Sequence, residues 1–329
     1  MKIDIQRLLL LQKFFKVQQE SSRKIILHLK PPSTLLLQNI HYSWLKSIYG
    51  KSHNHFPLYL SKNVTHTCKA QNYGFICHHT TENIKNIVVE CKNDKYLPIN
   101  TLNFQLNIVV PQTDIIQCFI QWQRYRKYWW SSVTTTPSLF SINDMEHNVD
   151  SSNVNIIANF NWGQHIVETV NINTNGEELN KNNINGKSCL TCNMGVETAF
   201  LTLLLDGLTN TTKEEYLRLH NKMAPYKISF ALDSEDPKVL LTLKELSTLL
   251  YHKLNLKKIS AWLPNFTLAL KDQITENLHL GVTYTVILNE NTLVNGIFHL
   301  LNSSTMLKFR NKYMWLILIH MLLYCVGKK

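Results

Sequence analysis

The sequence predicts an α+β fold followed by an α/β fold: an antiparallel-sheet domain flanked by helices over 35–221, then a mixed-sheet domain over 222–329. Two observations predict it. After Ala224-Pro225, short apolar runs alternate regularly with segments whose apolar residues recur at helical spacing. Before that point, β-rich runs lie among polar loops, with only two strongly helical stretches. A chain of 329 residues suits two domains of ordinary size, each large enough to bury a core.

The C-terminal part is the clearer. YKISFAL (226–232) alternates like a strand. Pro237 opens a helix, with Val239, Leu240, Leu243, Leu246, Leu249 and Leu250 on its apolar face. KISAWLP (258–264) reads as a second strand, Phe266 to Leu278 as a second helix, and VTYTVILN (282–289) as a third strand. Asn295-Gly296 marks a turn into IFHLL, and a terminal helix follows. Upstream, NIVVEC, FQLNIVV and NIIANFNW read as strands. Helices are expected over Ile115 to Trp130 and Glu197 to Leu208, and a loop or hairpin excursion over 171–188.

The two ends raise questions of processing. Residues 1–34 read as an N-terminal extension. Lys2, Arg7, Lys13 and Lys16 lie among leucines and phenylalanines, with Asp4 the only acid before Glu20. That is part of the pattern of a mitochondrial presequence, although it holds one arginine and no serine before Ser21. The competing reading is the first helix of the folded domain. At the other end, Tyr313 to Val326 is apolar except for His320, but shorter than the roughly 20 residues of a membrane-spanning helix. A buried terminal helix fits it better than a membrane anchor.

Composition narrows the classes. A charged fraction of 17% beside 44% hydrophobic residues is globular, not disordered. The formal charge of +11 favours a polyanionic partner, nucleic acid before membrane or acidic protein. Seven scattered cysteines make no disulfide framework and suit a reducing interior. Asn63 and Asn210 stand in glycosylation-like triplets of the kind an asparagine-rich chain produces by chance.

Candidate chemistry is sparse. Asn185-Gly186-Lys187-Ser188 lacks the first glycine of a phosphate-binding loop, having Lys181 there, and is rejected. Cys189 and Cys192 have metal-ligand spacing, but one pair does not make a zinc site, and His66, Cys68, Cys77, His78 and His79 fit no common knuckle. No metal and no cofactor is expected. WQRYRKYWW (122–130) places Arg124, Arg126 and Lys127 among aromatics, as nucleic-acid surfaces do. Trp122, Tyr125 and Trp129 nevertheless share one helical face, which reads as core with the basic groups on its rim. No Ser-His-Asp set, paired-carboxylate motif or HExxH helix is present.

Several stretches together are distinctive. RKYWWSSVTTTPSLFS (126–141), NFNWGQHIVET (159–169), APYKISFAL, ISAWLP, YTVILNENTLVNG and IFHLL resemble the accessory (beta) subunits of mitochondrial DNA polymerase gamma, insect-like in pattern and related to class II aminoacyl-tRNA synthetases. The resemblance covers most of the chain from about residue 35. It implies a degenerate class II synthetase-like domain over 35–221 and an anticodon-binding-like domain with a terminal helix over 222–329.

The resemblance also explains NMGVETAF (193–200). The third class II motif runs Gly-x-Gly, an apolar residue, an acid, then an arginine that holds ATP phosphates. Here those positions are Asn193, Met194, Gly195, Val196, Glu197 and Thr198. The second motif's arginine, counted without gaps from Leu97-Pro98, falls on Val109 and its acid on Pro111. Neither Thr198 nor Val109 offers a guanidinium fork. The resemblance therefore implies no catalytic residues and a binding role: a processivity factor that docks on the catalytic subunit and raises its grip on primer-template DNA, without sequence preference, in the mitochondrial matrix and nucleoid.

Docking is implied through the C-terminal domain, with Gly296, Asn295, Trp262 and Pro264 as interface candidates, and DNA contact through Arg124, Arg126 and Lys127. Vertebrate members dimerise through a helical insertion, for which Leu58 to Leu97 leaves little room. A monomer in a one-to-one heterodimer, with no membrane association, is expected. The alternatives are an active glycyl-, prolyl- or threonyl-like synthetase, which needs the missing arginines, and a tRNA-binding module.

Overall fold

The computed structural model describes residues 11–21, 23–53, 55–60, 72–77, 81, 84–92, 95–147, 151–173, 186–209 and 216–311. Two compact units emerge: residues 1–29 with 40–205, and residues 30–39 with 206–329. The expected terminal helix, the two glycosylation-like asparagines, His66, Cys68, His78 and His79 lie outside the described residues.

The first unit holds two sheets. In the smaller, β1 (Phe15–Ser21), β2 (Lys24–Leu29), β5 (Asn86–Lys92) and β6 (Lys95–Pro98) pair antiparallel in that order. The residues read as a presequence or first helix thus include a hairpin. Phe15 and Leu27 are buried in it and Phe14 just before it, whereas Gln18-Gln19-Glu20 is exposed, a pattern that period-3.6 reasoning does not capture.

The larger sheet runs β3 (Leu58–Leu60), β4 (Tyr73–Cys77), β7 (Asn103–Pro111), β12 (Lys187–Gly195), β11 (Gly163–Asn173), β10 (Ser151–Phe160) and β8 (Phe140–Ile142), with β9 (Glu146–His147) also on β10. All pairings are antiparallel except β3 with β4. The expected strands and the sheet type are therefore present, with one parallel edge added.

Helix α1 (Pro31–Ser52) was not anticipated. Its signal was available: Pro31 and Pro32 suit the first turn, and Leu36, Leu37, Ile40, Trp44 and Ile48 are all buried at helical spacing. Helix α2 (Ile115–Val133) buries Phe119, Trp122, Trp129, Trp130 and Val133 on one face. Helix α3 (Val196–Thr209) follows β12 directly.

The second unit carries a five-stranded mixed sheet in the order β14 (Ala261–Trp262), β13 (Ile228–Asp233), β15 (Tyr284–Asn289), β16 (Phe298–Asn302), β17 (Lys308–Asn311). The pairs β13–β14 and β13–β15 are parallel, the rest antiparallel. Ile228, Phe230 and Leu232 pack on one face with Leu243, Leu250 and Leu254 of α4 (Pro237–Leu256). Ala231, Ile287 and Leu301 pack on the other with Leu270 and Ile274 of α5 (Leu270–His279). Burial on both faces is why these strands are nearly all apolar.

The second expected strand is cut to two residues, and side chains replace its ladder. Gln273 accepts from Leu232 N at 3.0 Å, and Asn277 donates to Phe230 O at 3.1 Å while accepting from Ser229 Oγ at 2.7 Å. These buried amides satisfy β13 backbone groups beyond the reach of β14. Two further differences are a short helix α6 (Glu290–Asn295) before Gly296 and the added strand β17.

Candidate functional site

NMGVETAF forms the junction between β12 and α3. Strand β12 is central, with Gly195 opposite Asn103 of β7 and Thr169 of β11 opposite Asn193. Val196 N donates to Leu102 O at 3.0 Å, closing the junction against the segment that leads into β7. Glu197 is fully buried. Its carboxylate accepts from Thr101 N at 2.9 Å, from the Thr101 hydroxyl and, more weakly, from Leu102 N at 3.5 Å. Lying in the first turn of α3, that carboxylate also suits the positive end of the helix.

Asn100 completes the arrangement. Its Oδ1 accepts from both Thr198 N and Thr198 Oγ1 at 3.0 Å. The same side chain covers Gly195 so closely that an added Cβ would lie 2.3 Å from it. Gly195 is thus required for a close approach, and what approaches is the protein's own amide. Asn100 carries no feature in the sequence that marks it. Val109 is buried in β7, paired with Cys189 on one side and Tyr73 on the other. It packs with Tyr73 and Phe75 as apolar core. Asn193 is exposed on β12.

The basic cluster on α2 divides. Arg126, expected on the rim as a DNA contact, is instead fully buried. Its Nε donates to Glu168 Oε1 at 2.6 Å and its Nη2 to Glu168 Oε2 at 3.1 Å. Trp130 Nε1 donates to the same carboxylate at 2.8 Å, and Arg126 Nη1 to Ser47 Oγ at 3.0 Å. The guanidinium also lies 4.6 Å from the Trp129 ring. With its charge satisfied inside, Arg126 has nothing to offer a phosphate. A period-3.6 reading put it beside the core face, but only a buried carboxylate partner draws it in. That partner, Glu168, stands in the run NFNWGQHIVET without a role the sequence could assign. Arg124 is exposed and Lys127 half-buried.

No disulfide or metal chemistry emerges among the described residues: Cys77, Cys91, Cys118, Cys189 and Cys192 are free thiols, and no group of three or more potential ligands forms. Burial raises the Cys189 thiol, and burial together with nearby Glu168 raises that of Cys192. Both therefore stay protonated and weakly nucleophilic. Among the described residues no helix is long and apolar enough to cross a membrane.

In the second unit, Gly296 caps α6 with φ of 67°, and its N–H donates to Thr292 O at 3.1 Å. Asn295 is exposed beside it, with Leu293 and Val294 also exposed. Trp262 is half-buried with its ring 5.2 Å from Tyr226, and its indole N–H has no hydrogen-bond partner among the described residues. Pro264, expected at an interface, is buried.

Comparison with known proteins gives the chain relatives. It is 25% identical over 227 residues to the mitochondrial DNA polymerase subunit gamma-2 of Drosophila melanogaster, a match covering 63% of each chain. It is 26% identical over 215 residues to the DNA polymerase subunit gamma-2 of Bos taurus and to the mitochondrial one of Xenopus laevis, covering 57% of this chain. The match spans 63% of the length of the fly protein and 43% and 45% of the two vertebrate ones. No family model matches the chain. The resemblance read from the sequence is therefore shared with curated relatives, including an insect one.

Proposed function

We propose that this chain is a non-catalytic accessory subunit of mitochondrial DNA polymerase gamma that binds the catalytic subunit and raises its hold on primer-template DNA. The observation that carries the reading is the similarity to gamma-2 subunits from fly, cow and frog over more than half of the chain. Two of those relatives are mitochondrial by name, which supports a mitochondrial location for this chain as well.

The junction at Gly195 supports the non-catalytic part. If the first unit derives from a class II synthetase-like domain, its third motif carries Thr198 where a phosphate-binding arginine belongs, and Asn100 occupies the space above the glycine. Val109, aligned with the second-motif arginine, is apolar core. A threonine hydroxyl already donating to Asn100 cannot replace a bidentate cation on a triphosphate.

Polymerase docking is assigned to the second unit, with the exposed end of α6 around Asn295 and Gly296 and the half-buried Trp262 as contact candidates. DNA contact is assigned to Arg124 and Lys127, sequence-independent and salt-sensitive because phosphates are what these cations meet. The short stretch between Leu58 and Leu97, where strands β3 to β6 take up most of the described residues, supports a monomer joining the polymerase one to one.

The test is co-purification with the catalytic subunit and primer extension on a long single-primed template. Longer products at raised salt on adding this chain are expected. Absence of both complex and stimulation overturns the reading. Amino-acid-dependent pyrophosphate exchange above background would instead favour a working synthetase.

A further inference from the structure

From Ile40 onward, helix α1 lies beside α2 in the first unit, and the two run antiparallel. Trp129 Nε1 donates to Ser43 Oγ at 3.2 Å, Arg126 Nη1 to Ser47 Oγ at 3.0 Å, and Lys51 Nζ lies 5.6 Å from the Tyr125 ring centre. Ascending α1 therefore means descending α2. Neither helix contains an aspartate or glutamate along its whole length. Two adjacent amphipathic helices would ordinarily carry both signs on their solvent faces.

The residues that face solvent here are of two kinds. Tyr42, Lys46, Tyr49 and His53 follow at intervals of four, three and four, a single outward stripe along α1. Tyr49 and His53 stack at 5.7 Å with an 18° interplanar angle. On α2 the outward residues include Arg124 and Tyr128. Tyr42, Tyr49 and Tyr128 are 68%, 65% and 69% exposed, high for large aromatic rings. Lys46, Lys51 and Arg124 are exposed on the same two helices.

Resting on the reading that the chain works on DNA, we propose that this α1–α2 face binds single-stranded DNA. The cations track the phosphates, and Tyr42, Tyr49 and Tyr128 stack on unpaired bases. Charge complementarity selects the occupant. A face with several cations and no acids along its helices suits a polyanion, and a second copy packed on it would set like charges together. Exposed flat rings distinguish the strand type: in a duplex the base faces are already stacked on one another, whereas a single strand offers them. Tyrosine side chains carry no base-edge code in such an arrangement, so the binding is sequence-tolerant.

The experiment uses the full chain without polymerase. Fluorescence anisotropy is measured with a labelled oligo-dT strand and with a duplex of the same length, at low and raised salt. The strand is expected to bind more tightly. Substituting Tyr42→Ser, Tyr49→Ser and Tyr128→Ser together should weaken strand binding at least about ten-fold and leave the duplex nearly unaffected. The Phe counterparts at the three positions, which keep the ring and guard against loss of fold, should restore it. Lys46→Gln with Arg124→Gln should reduce the salt slope by up to about two. Undiminished strand binding by the Ser variant overturns the proposal, as does a preference for duplex. So does a dimer in light scattering that the Ser variant dissolves, which would make the face a contact between copies. Co-purification with the catalytic subunit is read separately, so that failure there, with strand binding intact, counts against the accessory-subunit reading alone.

Discussion

Arg126 and Glu168 face each other with both side chains fully buried, joined by two hydrogen bonds of 2.6 and 3.1 Å. The pair links α2 to β11, and Trp130 and Ser47 occupy further hydrogen-bonding positions of the two groups. Its consequence is mutational asymmetry. Removing one partner strands a charge in the core, whereas replacing both with apolar groups does not. Glu168→Ala is expected to lower unfolding free energy by about 3–5 kcal/mol in urea titration, and Arg126→Met with Glu168→Leu to recover most of it. A loss under about 1 kcal/mol for the single change would show the pair to be solvated.

The contact between Asn100 and Gly195 predicts coupled effects. Asn100→Ala leaves the Thr198 N–H and hydroxyl without their acceptor, at a cost of about 1–3 kcal/mol. Gly195→Ala forces the Asn100 side chain aside and costs a similar amount. Together they should cost clearly less than the sum, because the smaller residue at 100 makes room for the new methyl. Strict additivity in a double-mutant cycle would contradict the geometry.

Gly296 has a left-handed backbone, so its first role is local. Gly296→Ala is expected to cost about 1 kcal/mol in thermal or chemical unfolding and Gly296→Asn less, since asparagine tolerates that region. Gly296→Glu carries the same backbone cost plus a charge. If the α6 end is a docking surface, Gly296→Glu abolishes polymerase stimulation while Gly296→Asn retains it. Equal stimulation by both variants removes this turn from the interface.

Two histidines predict the acid limb of stability. Burial lowers His165 to about 4, and burial together with Lys222 and Lys227 lowers His220 to about 4. Unfolded histidine titrates near 6.5. Between about 6.5 and 4 the unfolded state therefore binds more protons, so stability falls as pH is lowered through that window. A melting temperature measured from pH 7 to 4 should decline. His165→Gln should flatten the decline, and an unchanged slope would assign it to other groups.

What was legible in the sequence tracks the physics that fixes each part. Strands β7, β10, β13 and β15 and helices α2, α3 and α4 show in their periodicity because burial on one or two faces dictates residue type directly. β14 shows as a strand over 258–264, but its truncation to two residues does not, because the missing ladder is replaced by Gln273 and Asn277, polar residues that read as surface until a strand edge is placed beside them. The hairpin at Phe15–Leu29 was obscured by a basic, leucine-rich start. In the candidate site, the absence of arginine at Thr198 was readable, but Asn100 above Gly195 was not. Neither was Glu168 beneath Arg126, since both depend on residues far apart in the chain meeting in space.

That distance has a consequence during synthesis. Asn100 and Thr198 are 98 residues apart, and β7 gains β12 as a neighbour only when the later strand has emerged. At roughly 5–20 residues per second a ribosome takes on the order of 5–20 s to make that interval. Throughout it, β7, whose Leu106 and Ile108 are core residues in the folded chain, has β4 on one side and an open edge on the other. An unpaired apolar edge of that kind recruits other strands. The nascent chain is thus most vulnerable to misassociation between the completion of α2 and the release of Gly195, and holdase chaperones would act on it in that interval.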